Sequence, residues 1–283
     1  MIRLVAVDMD GTLLGPDGRV SDRNAHVIRC MQNMGVELLI CTGRSYEDAL
    51  LPLEEAGLKA SVVCMNGAST YDVRGRRIGK VELAGTQVER IVECCKDADV
   101  IFDFMTDKGS CTIAEEEAFK DYFYRNVLLP MAEFSYEGVR RRFTFLPPGE
   151  LFERGLEFYK ISVIHESPLV LDGLRERLRA VPGLAIASSA ATNLELTHQE
   201  AQKGKALAEY AAMRNIRRDE IMAVGDSEND HSMLSMNLKY TVAMGNAAER
   251  IKKTAKCQTR PNSQDGVAYA IENLVLPYAI NSE

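Results

Sequence analysis

Three short stretches place oxygen-bearing or cationic side chains directly after apolar runs. They are Asp8 and Asp10 in "VAVDMDGTLL", Thr42, Gly43 and Arg44 in "ICTGR", and Asp226, Asn229 and Asp230 after "IMAVG". Asn66 follows a fourth run, and Lys203 stands at the start of a helical pattern in "QKGKAL". If the runs are neighbouring strands of a parallel sheet, these groups meet beyond its carboxyl end, where open α/β sheets bind ligands. Four carboxylates in one crevice repel one another and are costly to bury without compensation. A hard divalent cation offsets that cost. Oxygen donors without clustered His or Cys favour Mg2+ over zinc. Thr42, Lys203 and the loop amides at Gly11 and Gly43 suit phosphate oxygens. A cation beside a phosphate pocket fits phosphoryl transfer, where positioning and charge neutralisation supply most of the catalysis.

The elements that must hold these groups are legible from periodicity. Leu4–Val7, Val36–Cys41, Ser61–Met65, Ile221–Val224 and Tyr240–Ala243 read as short, continuously apolar strands. Helices are expected over Asp22–Met34, from Ser45 to near Gly57, and over Lys203–Arg214, with Ser21 and Ser45 as N-caps. Such alternation predicts a parallel sheet covered on both faces. From about Leu83 to Ser189 the pattern changes. "DVIFDFMT" and "LEFYKISVI" read as longer, more alternating strands, and helices are expected over Thr86–Lys96, Glu115–Tyr124 and Leu169–Arg179. "RRRFTFLPPGELFERG", with Pro147 and Pro148, should be loop or edge. This middle region reads as an α+β insertion within one α/β domain.

Composition narrows the class. The chain has 283 residues, 46% hydrophobic and 27% charged, which is ordinary for a globular protein with a sizeable core. A net charge of −7 argues against non-specific nucleic-acid binding, so an anionic ligand must be captured by local cations. No apolar run approaches the ~20 residues that span a bilayer, and Leu4–Val7 is too short for a signal-peptide core. A cytoplasmic protein is expected, with no membrane partner. Its seven scattered cysteines fit reduced thiols. His26, His165, His198 and His231 are dispersed and read as packed or surface residues.

Each feature also has a plainer reading. Asp-Gly favours turns, and Asp226 with Asp230 matches acidic residues at a helix N-terminus. Arg44 fits a substrate contact or a surface ion pair equally well.

Taken together, "DMDGTLL", "ICTGR", Lys203 in "QKGKAL" and "GDSENDHSM" resemble the four motifs of the haloacid dehalogenase superfamily, in order. "MNGA" and "VAMGNA" resemble its Cof-type, type-IIB branch of sugar-phosphate phosphatases. The resemblance implies an α/β fold: a Rossmann-like parallel-sheet core, residues 1–83 and 190–283, with an inserted α+β cap, residues 84–189. It implies that Asp8 is the nucleophile and Asp10 the general acid–base. It implies Mg2+ held by Asp8, the backbone carbonyl of Asp10, and Asp226. Thr42 and Lys203 would hold the phosphoryl group, helped by the amides near Met9 and Gly43 and by Asn229; Arg44 and Asn66 join the binding set. Asp230 would orient the metal site or Lys203. Lys203 is preferred to Lys205 because the family pattern is Lys-Gly followed by a helix. A Mg2+-dependent phosphatase of small phosphorylated metabolites, with sugar phosphates the expected class, follows through an aspartyl-phosphate. A sugar phosphomutase is the alternative, with Arg140, Arg141 and Arg142 as its possible bisphosphate-holding cluster. A sensor without turnover would lack the nucleophile or the acid. A monomer or homodimer is expected.

Overall fold

The computed structural model describes residues 1–125, 127–128, 135–188 and 190–279. Ser189, the expected end of the insertion, lies outside them. The chain divides into two units, residues 1–80 with 201–283, and residues 81–200.

The first unit is built on eight strands. They are β1 (Leu4–Asp8), β2 (Glu37–Cys41), β3 (Ser61–Cys64), β4 (Ser69–Tyr71) and β5 (Arg77–Lys80). After the second unit, which holds β6 to β11, come β12 (Ile221–Gly225), β13 (Tyr240–Ala243) and β14 (Cys257–Gln258). Their order is β14-β13-β12-β1-β2-β3-β4-β5. The six strands from β14 to β3 run parallel; β4 and β5 add an antiparallel edge. β1 and β12 are buried at every position, as their unbroken apolar runs require in a sheet covered on both faces. The expected caps form: Ser21 Oγ accepts the Asn24 N–H at 3.1 Å, and Ser45 Oγ accepts the Asp48 N–H at 3.2 Å. Each cap contributes about 1 kcal/mol.

The register fixes where the chemistry stands. Val7 lies beside Ile40 of β2 and Val224 of β12, and Asp8 beside Cys41. The residues that follow these strands therefore emerge together at one end of the sheet.

The second unit holds β6 (Ile101–Thr106), β7 (Gly109–Thr112), β8 (Phe143–Phe145), β9 (Phe158–Ile164), β10 (Leu184–Ala187) and β11 (Asn193–His198). Their order is β10-β11-β9-β6-β7-β8. One face buries Phe102, Phe104, Ile161, Val163, Leu194 and Leu196 in a core shared with helices Gly85–Cys95 and Pro168–Leu178. Ile101 and Ile164 belong to a separate cluster with Phe119 and Tyr122. The chain enters this unit at Val81 and leaves after Glu200, where the sequence reading set 84 and 189. β11 accounts for the later exit: it pairs with β9 and β10, and its Leu194 and Leu196 complete this core. "FTF" is the edge strand β8, as its prolines suggest. β9 departs from its expected alternation: every residue is buried, including Lys160, which meets Glu195 at 3.1 Å. Arg140 makes a two-point ion pair with Glu116, at 2.7 and 3.0 Å.

Candidate active site

Asp8 ends β1 and is buried. Its Oδ1 accepts a hydrogen bond from Lys203 Nζ at 2.6 Å, while its buried Oδ2 has no hydrogen-bond partner among the described residues. Lys203 is fully buried and opens the helix Lys203–Met213. Its ammonium also donates to Asp230 Oδ1 at 2.7 Å and to Asn229 Oδ1 at 3.3 Å. Lys205, two residues on, is exposed. The glycine between them has a steric reason: a Cβ at Gly204 would lie 2.2 Å from the Ser232 carbonyl oxygen. The helix start can approach the loop after β12 only without that atom.

Asp230 serves two masters with its two oxygens. Oδ1 takes the Lys203 ammonium, and Oδ2 accepts the N–H groups of Asp226 at 2.9 Å and Ser227 at 3.0 Å. It thus shapes the loop after β12 and anchors the lysine. Asp226 Oδ1 accepts from Thr12 Oγ1 at 3.1 Å, and its Oδ2 stands 3.5 Å from Asn246 Nδ2. Gly11 makes this approach possible: it turns at φ 75°, and a Cβ there would come within 2.4 Å of Asp226 Oδ2.

Burial raises the Asp8 carboxyl well above the usual carboxylate range, and the Asp230 charge adds to it against the opposing Lys203. Asp226 is pushed up to about 6 for the same two leading reasons, burial and Asp230. Burial works against the charge of Lys203, but Asp230 and Asp8 outweigh it and hold the ammonium protonated. The neighbouring Cys41 thiol is pushed up to about 12, chiefly by burial, so it stays protonated.

Asp8, Asp226 and Asp230 each offer one oxygen within 4.8 Å of the others. An all-oxygen donor set, a buried oxygen on Asp8 with no hydrogen-bond partner among the described residues, and carboxyls raised by burial and by the Asp230 charge fit a hard divalent cation. Asp230, with both oxygens engaged, is the least suited of the three to ligate it.

The other expected residues divide between this cluster and a second one. Thr42 is buried, its N–H bound to Val63 O and its Oγ1 accepting the Arg44 N–H at 3.1 Å. Asn66 adopts a left-handed φ of 59°, and its Oδ1 accepts from Asn229 Nδ2 at 3.2 Å. Gly43 lies against that amide, with its Cβ position 3.1 Å from Asn66 Oδ1. Met9 buries its side chain completely, which leaves only its backbone for a ligand. Asp10 faces outward and pairs with Arg44. Sequence reasoning gave no role to Thr12, Ser227 or Asn246. Thr12 and Asn246 address Asp226, and Ser227 Oγ lies 2.7 Å from Asn229 Oδ1. All three lie inside stretches already singled out, "DMDGTLL", "GDSENDHSM" and "VAMGNA".

Residues 5–271 match the family described as haloacid dehalogenase-like hydrolase. Phosphatase YwpJ of Bacillus subtilis (strain 168) is 32% identical over 97% of this chain and 100% of its own. The HMP-PP phosphatase of Serratia proteamaculans (strain 568) is 30% identical over 89% of this chain and 87% of its own. Among solved structures, a haloacid dehalogenase-like hydrolase from B. subtilis superposes with a TM-score of 0.82 at 30% identity, covering 97% of this chain and all of that one.

Proposed function

This chain belongs to the haloacid dehalogenase-like hydrolases, and from that premise we propose a two-step, Mg2+-dependent hydrolysis of small phosphorylated metabolites on Asp8. It is a phosphoric monoester hydrolase. The observation that carries the mechanism is the Asp8 carboxylate, with one oxygen fixed by a buried ammonium and the other unpartnered.

In the first step an Asp8 oxygen attacks phosphorus, and the bond to the leaving oxygen breaks. Asp10 gives that oxygen its proton. The aspartyl-phosphate splits one hard displacement into two easier ones. In the second step water attacks phosphorus, Asp10 takes its proton, and phosphate leaves as Asp8 is regenerated. Acid–base help of this kind contributes about 10²–10⁴-fold. Lys203 stays charged throughout and offsets the negative charge of the transferring group, with Thr42, Asn229 and the amides near Met9 and Gly43 as further donors. Asp8, Asp226 and the carbonyl of Asp10 would hold Mg2+, which supplies positive charge to the phosphoryl oxygens. Water rather than a second sugar is the acceptor we favour: the relatives carry phosphatase names, and Arg140 is already engaged by Glu116.

EDTA-treated protein should lose phosphate release and regain it with Mg2+. The same addition should raise Tm, more at pH 7.5 than at pH 5. The sign follows from the raised carboxyls. Without metal, a group whose folded pKa is raised gives its full stabilisation below its unfolded value of 3.8. That stabilisation is lost as pH rises through the folded value, about 6 for Asp226. Bound Mg2+ restores what is lost, so its effect grows over that window. Full activity in chelated protein, or an equal Tm gain at both pH values, would count against the metal role.

We further assign choice of the leaving group to the inserted unit. Exchanging residues 81–200 for a relative's segment should reorder substrate preference in a panel of phosphorylated metabolites, while turnover of p-nitrophenyl phosphate persists. An unchanged order would reject that assignment.

A further inference from the structure

Asp10 is built differently from the other carboxylates of the site. Its side chain is 59% exposed, and it sits on a bend between Asp8 and the left-handed Gly11. Yet an acid that must deliver a proton to one particular oxygen needs a fixed direction, since misplacement by ~1 Å can cost about 10²-fold.

Arg44 supplies that direction. Its Nε donates to Asp10 Oδ2 at 2.9 Å and its Nη2 to Oδ1 at 2.6 Å, so both oxygens are gripped in one plane. The arginine is itself tied down. Its backbone N–H donates to Thr42 Oγ1 at 3.1 Å, and its Nη1 reaches the Asp48 carbonyl at 3.3 Å. An exposed ion pair contributes only about 0–1 kcal/mol to stability, so folding alone gives weak reason for this arrangement. A planar two-point grip sets orientation as well as charge, and a lysine cannot reproduce it.

We propose that Arg44 is the positioning residue for the acid–base Asp10, not a ligand of the phosphoryl group. The inference rests on the acid–base reading of Asp10 given above.

The test compares two leaving groups on the magnesium-loaded enzyme. Glycerol phosphate releases an alkoxide that must be protonated; p-nitrophenyl phosphate releases a stable anion that needs no acid. For Arg44→Ala, kcat/KM, which reports only the steps up to departure of the leaving group and not the shared water attack, should fall about 30–100-fold on glycerol phosphate and less than about 5-fold on p-nitrophenyl phosphate. KM should not rise on either. Asp10→Asn should show the same contrast, more strongly. Arg44→Lys should recover little of the glycerol phosphate rate. Equal losses on both substrates, a large rise in KM on both, or full recovery with lysine would assign Arg44 to phosphate binding and overturn the proposal. If Asp10→Asn discriminates and Arg44→Ala does not, only the Arg44 inference fails. If Asp10→Asn does not discriminate, the acid–base reading fails with it.

Discussion

Asp8→Asn should abolish phosphate release, by about 10⁴-fold or more, in a protein that melts no lower than the original. The amide has nearly the shape of the carboxylate and can still accept from Lys203 through its oxygen. What it lacks is a nucleophilic oxygen facing the substrate. The stability half of the expectation comes from electrostatics. Three carboxylates, Asp8, Asp226 and Asp230, stand together with Asp8 and Asp230 paired to one buried lysine, and burial with the Asp230 charge already raises Asp8. Removing one negative charge eases that repulsion in metal-free protein at pH 7.5. Phosphate release and thermal melts in EDTA check the two halves together. An inactive variant with a much lower Tm would mean that the substitution damaged the fold. An active one would remove Asp8 from the mechanism.

Lys203→Met should have the opposite signature. It removes the cation that the buried Asp8 and Asp230 share. Breaking a buried pair by deleting one partner costs about 3–5 kcal/mol, a large share of the ~5–15 kcal/mol that holds a domain folded. Tm should fall by on the order of 10 °C. Activity should fall too, by about 10²–10³-fold, for loss of a charge aimed at the transferring phosphoryl group. Lys205→Met is the matched control, because Lys205 is exposed; it should change stability by less than about 0.5 kcal/mol. Adding Asp8→Asn to Lys203→Met should recover part of the lost stability, since the orphaned charge goes with it. If the two lysine variants behave alike, the buried cluster is not what holds this end of the sheet.

The parts legible in the sequence were those governed by short-range rules. β1, β12 and β13 announce themselves because a strand covered on both faces must be apolar throughout. Ser21 and Ser45 mark helix starts because a cap is a local hydrogen bond. The hairpin of β4 and β5 left little trace, for Arg77–Lys80 is a short edge strand largely open to solvent. Thr12, Ser227 and Asn246 stayed silent for another reason. A threonine or asparagine gains its role only from the partner opposite, and Thr12 meets Asp226 across 214 positions of chain. Arg44 was visible as a residue and ambiguous as a function until Asp10 was found in its grip. The second compact unit runs on to Glu200, past residue 189, because β11 declares its allegiance by pairing with β9 and β10, which no local pattern reports.

The pairing of β1 with β12 has a consequence for how the protein is made. On the ribosome, Leu4–Asp8 emerges long before Ile221–Gly225, the strand that closes one of its two edges. The 120-residue span between Val81 and Glu200 holds its own sheet and core and is available to collapse in the interval. Until Lys203 and Asp230 arrive, Asp8 has neither its counter-ion nor its walls. Translation that stops short of Gly225 therefore yields a polypeptide whose Asp8 lacks the neighbouring strand β12 and the loop that follows it.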